Sequence, residues 1–140
     1  MEWNDPADIQ LVSRTFDDWA AAVIAKDRPL VETFHDDGFR ARIADRMIDK
    51  ASHIELELTV AVREMSIMEI TATRRMGELL LVWSKHRIVA DRVPPLPQFG
   101  LQGDWGNEAA AQVGFPQTEF TVWRREGAGL KCVAFEAKAG

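Results

Sequence analysis

The sequence contains one cysteine and no tyrosine among its 140 residues. A single cysteine cannot form an intrachain disulfide, which favours a reducing compartment. Cys132 falls in the last apolar strand pattern, where a small buried side chain is a commoner role than a reactive thiol. The sequence also lacks a signal-peptide layout and any apolar run near the ~20 residues of a membrane span. We therefore expect a cytoplasmic protein with no membrane partner.

An excess of positive charge is missing as well. The chain has 17 basic and 22 acidic residues and a net charge of -5, which disfavours surfaces that neutralise phosphates. We expect no nucleic-acid partner. An apolar fraction of 46% with 28% charged residues is ordinary for a folded domain, and this length predicts one domain with a core and room for a ligand cavity.

Recognisable metal and phosphate motifs are absent. His35, His53 and His86 fall in different predicted elements without a short-spaced pair, and there is no cysteine cluster. The glycine-containing stretch 99–106 lacks the preceding strand, the following helix and the lysine of phosphate loops. The sequence therefore predicts no metal and no cofactor.

Helical patterns occupy the first half of the chain. Apolar residues recur at helical spacing after Asp5, and Asp5 and Asp49 are the expected caps because an aspartate side chain accepts from the first amides of a helix. Gly38 provides a stop after a second, short helix. The predicted elements here are helices at 5–24, from 27 or 29 to 34, and at 50–58, and short strands at 39–44 and 47–48.

Two β-hairpins are predicted in the second half. Apolar and β-branched residues fill 62–74 and 78–90, and Gly77 marks the turn between them. The stretch 119–138 has two alternating runs on either side of a charged, glycine-bearing turn. Between the hairpins, the proline- and glycine-rich insertion 91–117 is longer than most connections, so a lid, an arm on a second subunit and a disordered flap are all open interpretations. Residues 108–113 could form one helical turn.

Three motifs, taken in this order of elements, carry a resemblance to a known family. They are Phe34-His-Asp-Asp-Gly-Phe39, Met47-Ile-Asp-Lys50 and Thr121-Val-Trp-Arg-Arg-Glu-Gly127. Together they resemble the SnoaL-like branch of the nuclear transport factor 2-like superfamily over nearly the whole chain. The resemblance implies one α+β domain at 1–140, a curved, mostly antiparallel sheet wrapped around three helices from the first half, an apolar pocket and a homodimer through the sheet. Superfamily members include isomerases, dehydratases, cyclases, epoxide hydrolases and proteins that only bind, so the fold does not supply the function.

The chain departs from the characterised enzymes of this superfamily at their functional positions. Steroid isomerases use a tyrosine and a protonated aspartate as oxyanion donors and a second aspartate as base, and this chain has no tyrosine. The base position aligns with Arg42 and the oxyanion aspartate with Thr121, and neither side chain can do the same work. Glu136 aligns with a histidine that many SnoaL-like members carry in the final strand.

Strand alternation selects ionisable residues on apolar faces. His86 shares its predicted face with Leu80 and Val82, so it is expected on the core side, as a hydrogen-bonded core residue or as a catalytic group. Glu136 shares parity with Leu130 and Cys132, which places it at the cavity mouth or at an exposed strand end.

Two acidic residues and several aromatic residues complete the candidates. Asp18 lies beside a pocket position or on a solvated helix face. Glu69 enters the pocket or pairs with a basic residue across the strands. Phe120 and Trp123 have opposite parity, so at most one of them faces the cavity. The candidate ligand-binding residues are Trp19, Phe34, Glu69, Trp83, Phe120 and Thr121.

The sequence leaves two functional hypotheses. In the first, the chain acts on a small apolar molecule as a cofactor-independent isomerase, dehydratase or cyclase, with His86, Glu136 and Asp18 as the acid and base groups. In the second, it is a non-catalytic homodimer for ligand binding or accessory work, and Trp83 or Trp123 forms the subunit contact.

Overall fold

The computed structural model describes residues 2–92 and 108–139. The elements in chain order are β1 (Glu2–Trp3), α1 (Pro6–Ile24), α2 (Arg28–Thr33), β2 (His35–Ile43), β3 (Arg46–Asp49), α3 (Lys50–Thr59), β4 (Ala61–Met76), β5 (Leu79–Arg92), α4 (Glu108–Val113), β6 (Phe115–Glu126) and β7 (Gly129–Ala139). The strands form one sheet in the order β1-β4-β5-β6-β7-β2-β3. Neighbouring strands are antiparallel except β2 and β7. The predicted α+β class with a mostly antiparallel sheet is confirmed.

The helices begin where aspartate caps were expected. Asp5 accepts a hydrogen bond from the Ala7 amide, and Asp49 accepts one from the Ser52 amide, each at 2.8 Å. These contacts satisfy amides that have no partner within the helix. The apolar stripe of α1 then packs on the sheet, and its buried members include Val12, Phe16, Trp19 and Val23.

Several strands are longer than the sequence predicted. β2 begins at His35 and not at residue 39, so the motif assigned to a helix stop is already part of the sheet. The short strand β1 was not predicted, and Trp3 pairs there with Arg74 of β4. Both differences depend on pairing between distant segments, which local patterns do not reveal.

A bulge in the last hairpin reverses the alternation of β7. Val122 lies opposite Ala134, whereas Trp123 lies opposite Cys132, so β7 has one extra residue at position 133. Cys132 is therefore buried before the bulge, and Phe135 is buried after it. Every side chain of β7 beyond the bulge faces the opposite side from the one that simple alternation predicts.

The insertion between the hairpins is described only at its ends. Residues 108–113 form α4, as the pattern suggested, and Gly114 ends it with a φ of +103° that favours glycine. Ala111 is buried against Ile88 and Phe115 at one end of the sheet. Residues 93–107 lie outside the described part of the chain, so the lid, arm and flap interpretations stay predictions.

Candidate functional site

A cavity of about 90 Å³ lies between helices α1 and α3 and the inner face of the sheet. Its wall is mainly apolar, and the apolar lining residues are Phe16, Trp19, Ala20, Val23, Ile43, Leu56, Val60, Val62, Met65, Ile88, Ala90, Phe115 and Phe135. Five polar side chains interrupt this surface, namely His53, Glu57, His86, Gln117 and Glu119. A largely apolar wall with a few polar groups is typical of a small-molecule site.

One polar group lies on the sheet, on the neighbouring strands β5 and β6. Gln117 Nε2 donates to Glu119 Oε2 at 2.7 Å, and Glu119 Oε1 lies 3.4 Å from His86 Nε2. The Ser84 hydroxyl is 2.8 Å from the same histidine nitrogen. All four side chains belong to residues that are at most 5% exposed. We name Ser84, His86, Gln117 and Glu119 the Glu119 group.

Burial decides the protonation of the Glu119 group. Loss of hydration, aided by the charge of Glu57, raises the pKa of Glu119 to about 8 although the Gln117 hydrogen bond acts in the other direction. The same loss of hydration lowers the pKa of His86 to about 4. Because burial disfavours both charges, the 3.4 Å contact joins a neutral carboxylic acid to a neutral imidazole at neutral pH, and not an ion pair.

A second polar group lies where α3 meets the start of β2. His53 and Glu57 are four residues apart on α3 and therefore share a face of that helix. His35 Nε2 lies 3.0 Å from His53 Nδ1. Glu57 Oε1 is 3.1 Å from the same His35 nitrogen and 3.2 Å from His53 Nδ1. We name His35, His53 and Glu57 the Glu57 group.

The Glu57 group holds a charge in spite of its burial. Burial by itself would raise the pKa of Glu57, but attraction to His53 and His35 and hydrogen bonding with them outweigh it and lower the pKa to about 2. His35 Nδ1 is 2.8 Å from the Val31 carbonyl, which only accepts, so this nitrogen carries a proton. Lys26 donates to the backbone carbonyl of Glu57 at 3.0 Å. The carboxylate itself faces the two imidazoles and is ionised at neutral pH.

Three buried polar atoms of lining residues have no well-formed hydrogen bond among residues 2–92 and 108–139. Glu57 Oε1 is one of them and lies against the two imidazoles. The other two, Oε1 of Gln117 and Nε1 of Trp19, have no partner. A buried donor or acceptor left unsatisfied costs about 1–3 kcal/mol. An unmet acceptor and an unmet donor in one cavity wall therefore favour an occupant that can hydrogen-bond.

Comparison with known proteins identifies the fold. No protein-family model matches the chain, and no curated protein matches its sequence. Among solved structures, a nuclear transport factor 2-like protein from Cytophaga hutchinsonii superposes with a TM-score of 0.69 at 14% identity, over 97% of this chain and 99% of the other. A second such protein of unknown function, from Pseudomonas putida, gives 0.65 at 15% identity, over 97% and 89% of the two chains. The chain has the nuclear transport factor 2-like fold.

This likeness concerns the fold, and the SnoaL-like branch stays a prediction. Within the nuclear transport factor 2-like fold, two of the predicted site residues lie in the cavity wall. His86 is 5% exposed on the inner face of β5, where alternation placed it, and Trp19 reaches the cavity from α1. Among the described helices, none combines the length and the hydrophobicity of a membrane span.

The other predicted catalytic residues lie outside the cavity. Of the two placements left open for Glu136, the cavity mouth is wrong and the exposed one is found: its side chain is 39% exposed and lies 3.8 Å from Lys138. The bulge at residue 133 is the physical reason, because it turns Glu136 to the outer face of the sheet. Asp18 is also exposed and takes no part in the cavity, since it belongs to the solvated side of α1.

Most of the predicted ligand-binding residues likewise do not reach the cavity. Trp83 and Phe120 lie half-buried on the outer face, with ring centroids 5.0 Å apart, and Glu69 is exposed opposite Lys85. Phe34 stacks on Trp19 at 6.0 Å without lining the cavity.

Thr121 and Trp123 are buried in the core beside the cavity. Thr121 Oγ1 accepts a hydrogen bond from Trp123 Nε1 at 2.8 Å, and neither residue lines the cavity. Trp123 is fully buried. Phe120 and Trp123 therefore lie on opposite faces of the sheet, as predicted. Because Trp123 is fully buried, it cannot form a subunit contact.

Sequence reasoning missed Glu119 and the Glu57 group. The signal for Glu119 was its even spacing from Trp123 along β6, which places Gln117, Glu119 and Thr121 on the buried face. The signal for His53 and Glu57 was their spacing of four on a predicted helix. His35 gave no local signal, because its place in the group depends on the start of β2, where it lies opposite Cys132 of β7.

Proposed function

We propose that the chain binds a small, mainly apolar molecule in this cavity and transfers a proton to or from it through Glu119 and His86. The observation that carries the proposal is the contact of 3.4 Å between Glu119 Oε1 and His86 Nε2 in an apolar wall. Isomerisation, dehydration and cyclisation all require proton transfer at carbon or oxygen, and a positioned acid and base accelerate such steps. This chemistry uses side chains alone.

Glu119 is suited to act as the acid. Its Oε2 atom accepts from Gln117, so the acidic proton belongs on Oε1, next to His86. A pKa of about 8 keeps that proton in place at neutral pH while leaving it available for transfer, because catalytic efficiency is greatest when the pKa is near the working pH. Neutral His86 is the acceptor through Nε2, and the Ser84 hydroxyl oxygen, 2.8 Å away, can accept a hydrogen bond from this nitrogen once it is protonated.

The cavity defines the class of ligand. Its volume of about 90 Å³ is smaller than the ~150 Å³ cavity that holds benzene in another protein. The ligand is therefore a small ring or a short branched chain. Gln117 Oε1 and Trp19 Nε1 need a donor and an acceptor, respectively, so a hydroxyl on the ligand can serve both atoms, whereas a carbonyl can serve only Trp19 Nε1.

Exchange of ligand protons for deuterium tests this proposal without knowledge of the natural substrate. A cyclic ketone smaller than benzene, such as cyclobutanone, would be incubated with the protein in D₂O and a chelator, and followed by NMR. We expect the protein to exchange the protons next to the carbonyl faster than buffer alone does. In Glu119→Gln this rate enhancement should be at least ~10-fold smaller. A cavity-filling Ala20→Leu variant should abolish both exchange and the change in tryptophan fluorescence on ligand binding. Binding without exchange in the wild type would remove the catalytic role and leave a binding protein.

A non-catalytic homodimer in the cytoplasm is the second candidate. Trp3 is 53% exposed and stacks on Trp83 at 5.8 Å, and Trp83 contacts Phe120 in the next strand. This row of aromatic rings on the outer face supports a subunit contact through the sheet. Light scattering at micromolar concentration tests it: we expect a dimer that Trp83→Glu dissociates. A wild-type monomer would refute the contact.

A further inference from the structure

Three atoms of the Glu57 group form a nearly equilateral triangle. The sides are 3.0 Å between His35 Nε2 and His53 Nδ1, and 3.1 and 3.2 Å from these nitrogens to Glu57 Oε1. Ligands about 2.1 Å from a metal are separated by about 3.0 Å at right angles and by about 3.4 Å at tetrahedral angles. The observed spacing lies within this range, so one ion could contact all three atoms without rearrangement of the side chains.

Protons cannot satisfy this triangle as well as a cation can. A hydrogen bond needs one proton between its two atoms. His35 Nδ1 already donates its proton to the Val31 carbonyl, outside the triangle. With neutral imidazoles, one proton on His53 Nδ1 has to serve three contacts. With one further proton, on His35 Nε2, both facing nitrogens carry N–H groups, which repel each other across 3.0 Å. The contacts of Glu57 Oε1 with the two imidazole nitrogens, at 3.1 and 3.2 Å, are accordingly poorly directed as hydrogen bonds, and this oxygen has no other partner among the described residues.

The surroundings of the triangle are those of a metal ligand set. Histidine ligands in proteins donate their other ring N–H to a carbonyl or carboxylate, which fixes the ring, and His35 does so with Val31 at 2.8 Å. The ring of His53 is held between Phe39 and Phe135, at centroid distances of 5.0 and 5.1 Å. These contacts fix both imidazoles before any ion arrives.

One side of the triangle is open to the ligand cavity. His53 and Glu57 belong to the cavity wall, whereas His35, only 1% exposed, lies behind them. Three protein ligands that leave a further position toward a cavity are typical of reactive metal sites and not of closed structural ones. An ion bound here would have a free coordination position that faces the cavity, where the ligand also contacts the Glu119 group.

We propose that His35 Nε2, His53 Nδ1 and Glu57 Oε1 bind one divalent transition-metal ion, a site beyond the acid and base pair proposed above. Two imidazole nitrogens and one carboxylate oxygen suit Zn²⁺, Fe²⁺ or Co²⁺. The same set is poor for Mg²⁺ and Ca²⁺, which take oxygen ligands. No metal was expected from the sequence because the three ligands come from two separate elements, β2 and α3.

Titration of untagged, chelator-treated protein with Co²⁺ and Zn²⁺ tests the site. We expect one ion per chain, with visible Co²⁺ absorption that Zn²⁺ displaces and Mg²⁺ does not. Glu57→Gln and His53→Ala should each weaken binding by at least ~100-fold, since each removes one of three ligands. The matched control, Glu119→Gln, changes the other buried glutamate of the cavity and should leave the affinity within about threefold.

Histidine resonances of the wild type give a readout that does not depend on the folding of variants. The chain has three histidines, and ¹⁵N spectra of the imidazoles distinguish them. Zn²⁺ should shift His35 Nε2 and His53 Nδ1 and leave His86 unchanged. No stoichiometric binding of either ion, or a shift of His86 in place of the other two, would overturn the site. Either result would leave the acid and base proposal intact, because its own test is run in a chelator.

Discussion

Each of the two polar groups of the cavity has a buried glutamate beside histidine, and the two glutamates reach opposite electrostatic states. Glu119 and Glu57 are both buried, at 3% and 9% exposure, and each lies beside histidine. Yet the pKa of Glu119 is raised to about 8, whereas the pKa of Glu57 is lowered to about 2. Burial alone therefore does not fix the charge of a carboxyl group.

The difference lies in the number and distance of the partners. Glu57 Oε1 has two imidazole nitrogens at 3.1 and 3.2 Å, while Glu119 Oε1 lies 3.4 Å from the single imidazole of His86. Attraction to two close partners offsets the free-energy cost of dehydrating the carboxylate, whereas attraction to one more distant partner does not. The neutral group can therefore donate a proton, and the charged group can hold a cation.

The largest expected effect is the loss of the Glu57 carboxylate. In chelator-containing buffer at pH 7, Glu57→Gln should destabilise the fold by about 4 kcal/mol, because it removes one partner of a buried charged cluster. Urea denaturation followed by tryptophan fluorescence measures this. Glu119→Gln, the matched change at a neutral carboxyl, should be neutral or stabilising. Equal destabilisation by the two changes would end the contrast between the groups.

The second effect is a pH dependence that belongs to Glu119. Its pKa rises from 4.5 unfolded to about 8 folded, so the unfolded chain releases this proton first as the pH increases. Stability due to the protonated group is complete below pH 4.5 and is lost up to pH 8. Relative to the wild type, Glu119→Gln should therefore gain about 3 kcal/mol between pH 5 and pH 8. A constant difference across this range would mean that Glu119 is ionised in the fold.

His86 should produce a smaller effect of the opposite sign. Its pKa falls from 6.5 unfolded to about 4 folded, so stability is complete above pH 6.5 and is lost as the pH falls toward 4. In His86→Gln, the loss of folding stability on acidification should be smaller than in the wild type by about 2 kcal/mol. Denaturation midpoints at pH 4.5 and pH 7 give the comparison. If the variant loses as much stability as the wild type between pH 7 and pH 4.5, a group other than His86 causes the loss.

Local patterns predicted most of the fold but only part of this contrast. The caps at Asp5 and Asp49, the two hairpins and the inward side of His86 follow from spacing within one element, which a sequence displays directly. Alternation failed at Glu136, since one extra residue in β7 inverts every face after it.

The Glu57 group shows the other limit of sequence reasoning. Its helical pair, His53 and Glu57, was visible as a spacing of four. His35 joins them only because β2 runs parallel to β7, a pairing between segments nearly a hundred residues apart. Such contacts depend on the assembled sheet, so the charge on Glu57 is a property of the tertiary structure.

The smallest expected effect tests whether the number of hydrogen-bond partners sets the direction in which the pKa of a buried carboxyl group shifts. Gln117 donates to Glu119 Oε2 at 2.7 Å and thereby lowers its pKa against the effect of burial. Gln117→Leu removes this donor at similar volume, so the pKa of Glu119 should rise above 8 by roughly one pH unit. The ¹³C resonance of the carboxyl carbon, followed from pH 5 to pH 10, reports this pKa, and Ser84→Ala, which does not touch the carboxylate, is the control. A lower pKa in Gln117→Leu would mean that water enters the cavity and replaces the lost donor, and burial would then no longer account for the neutral state of Glu119.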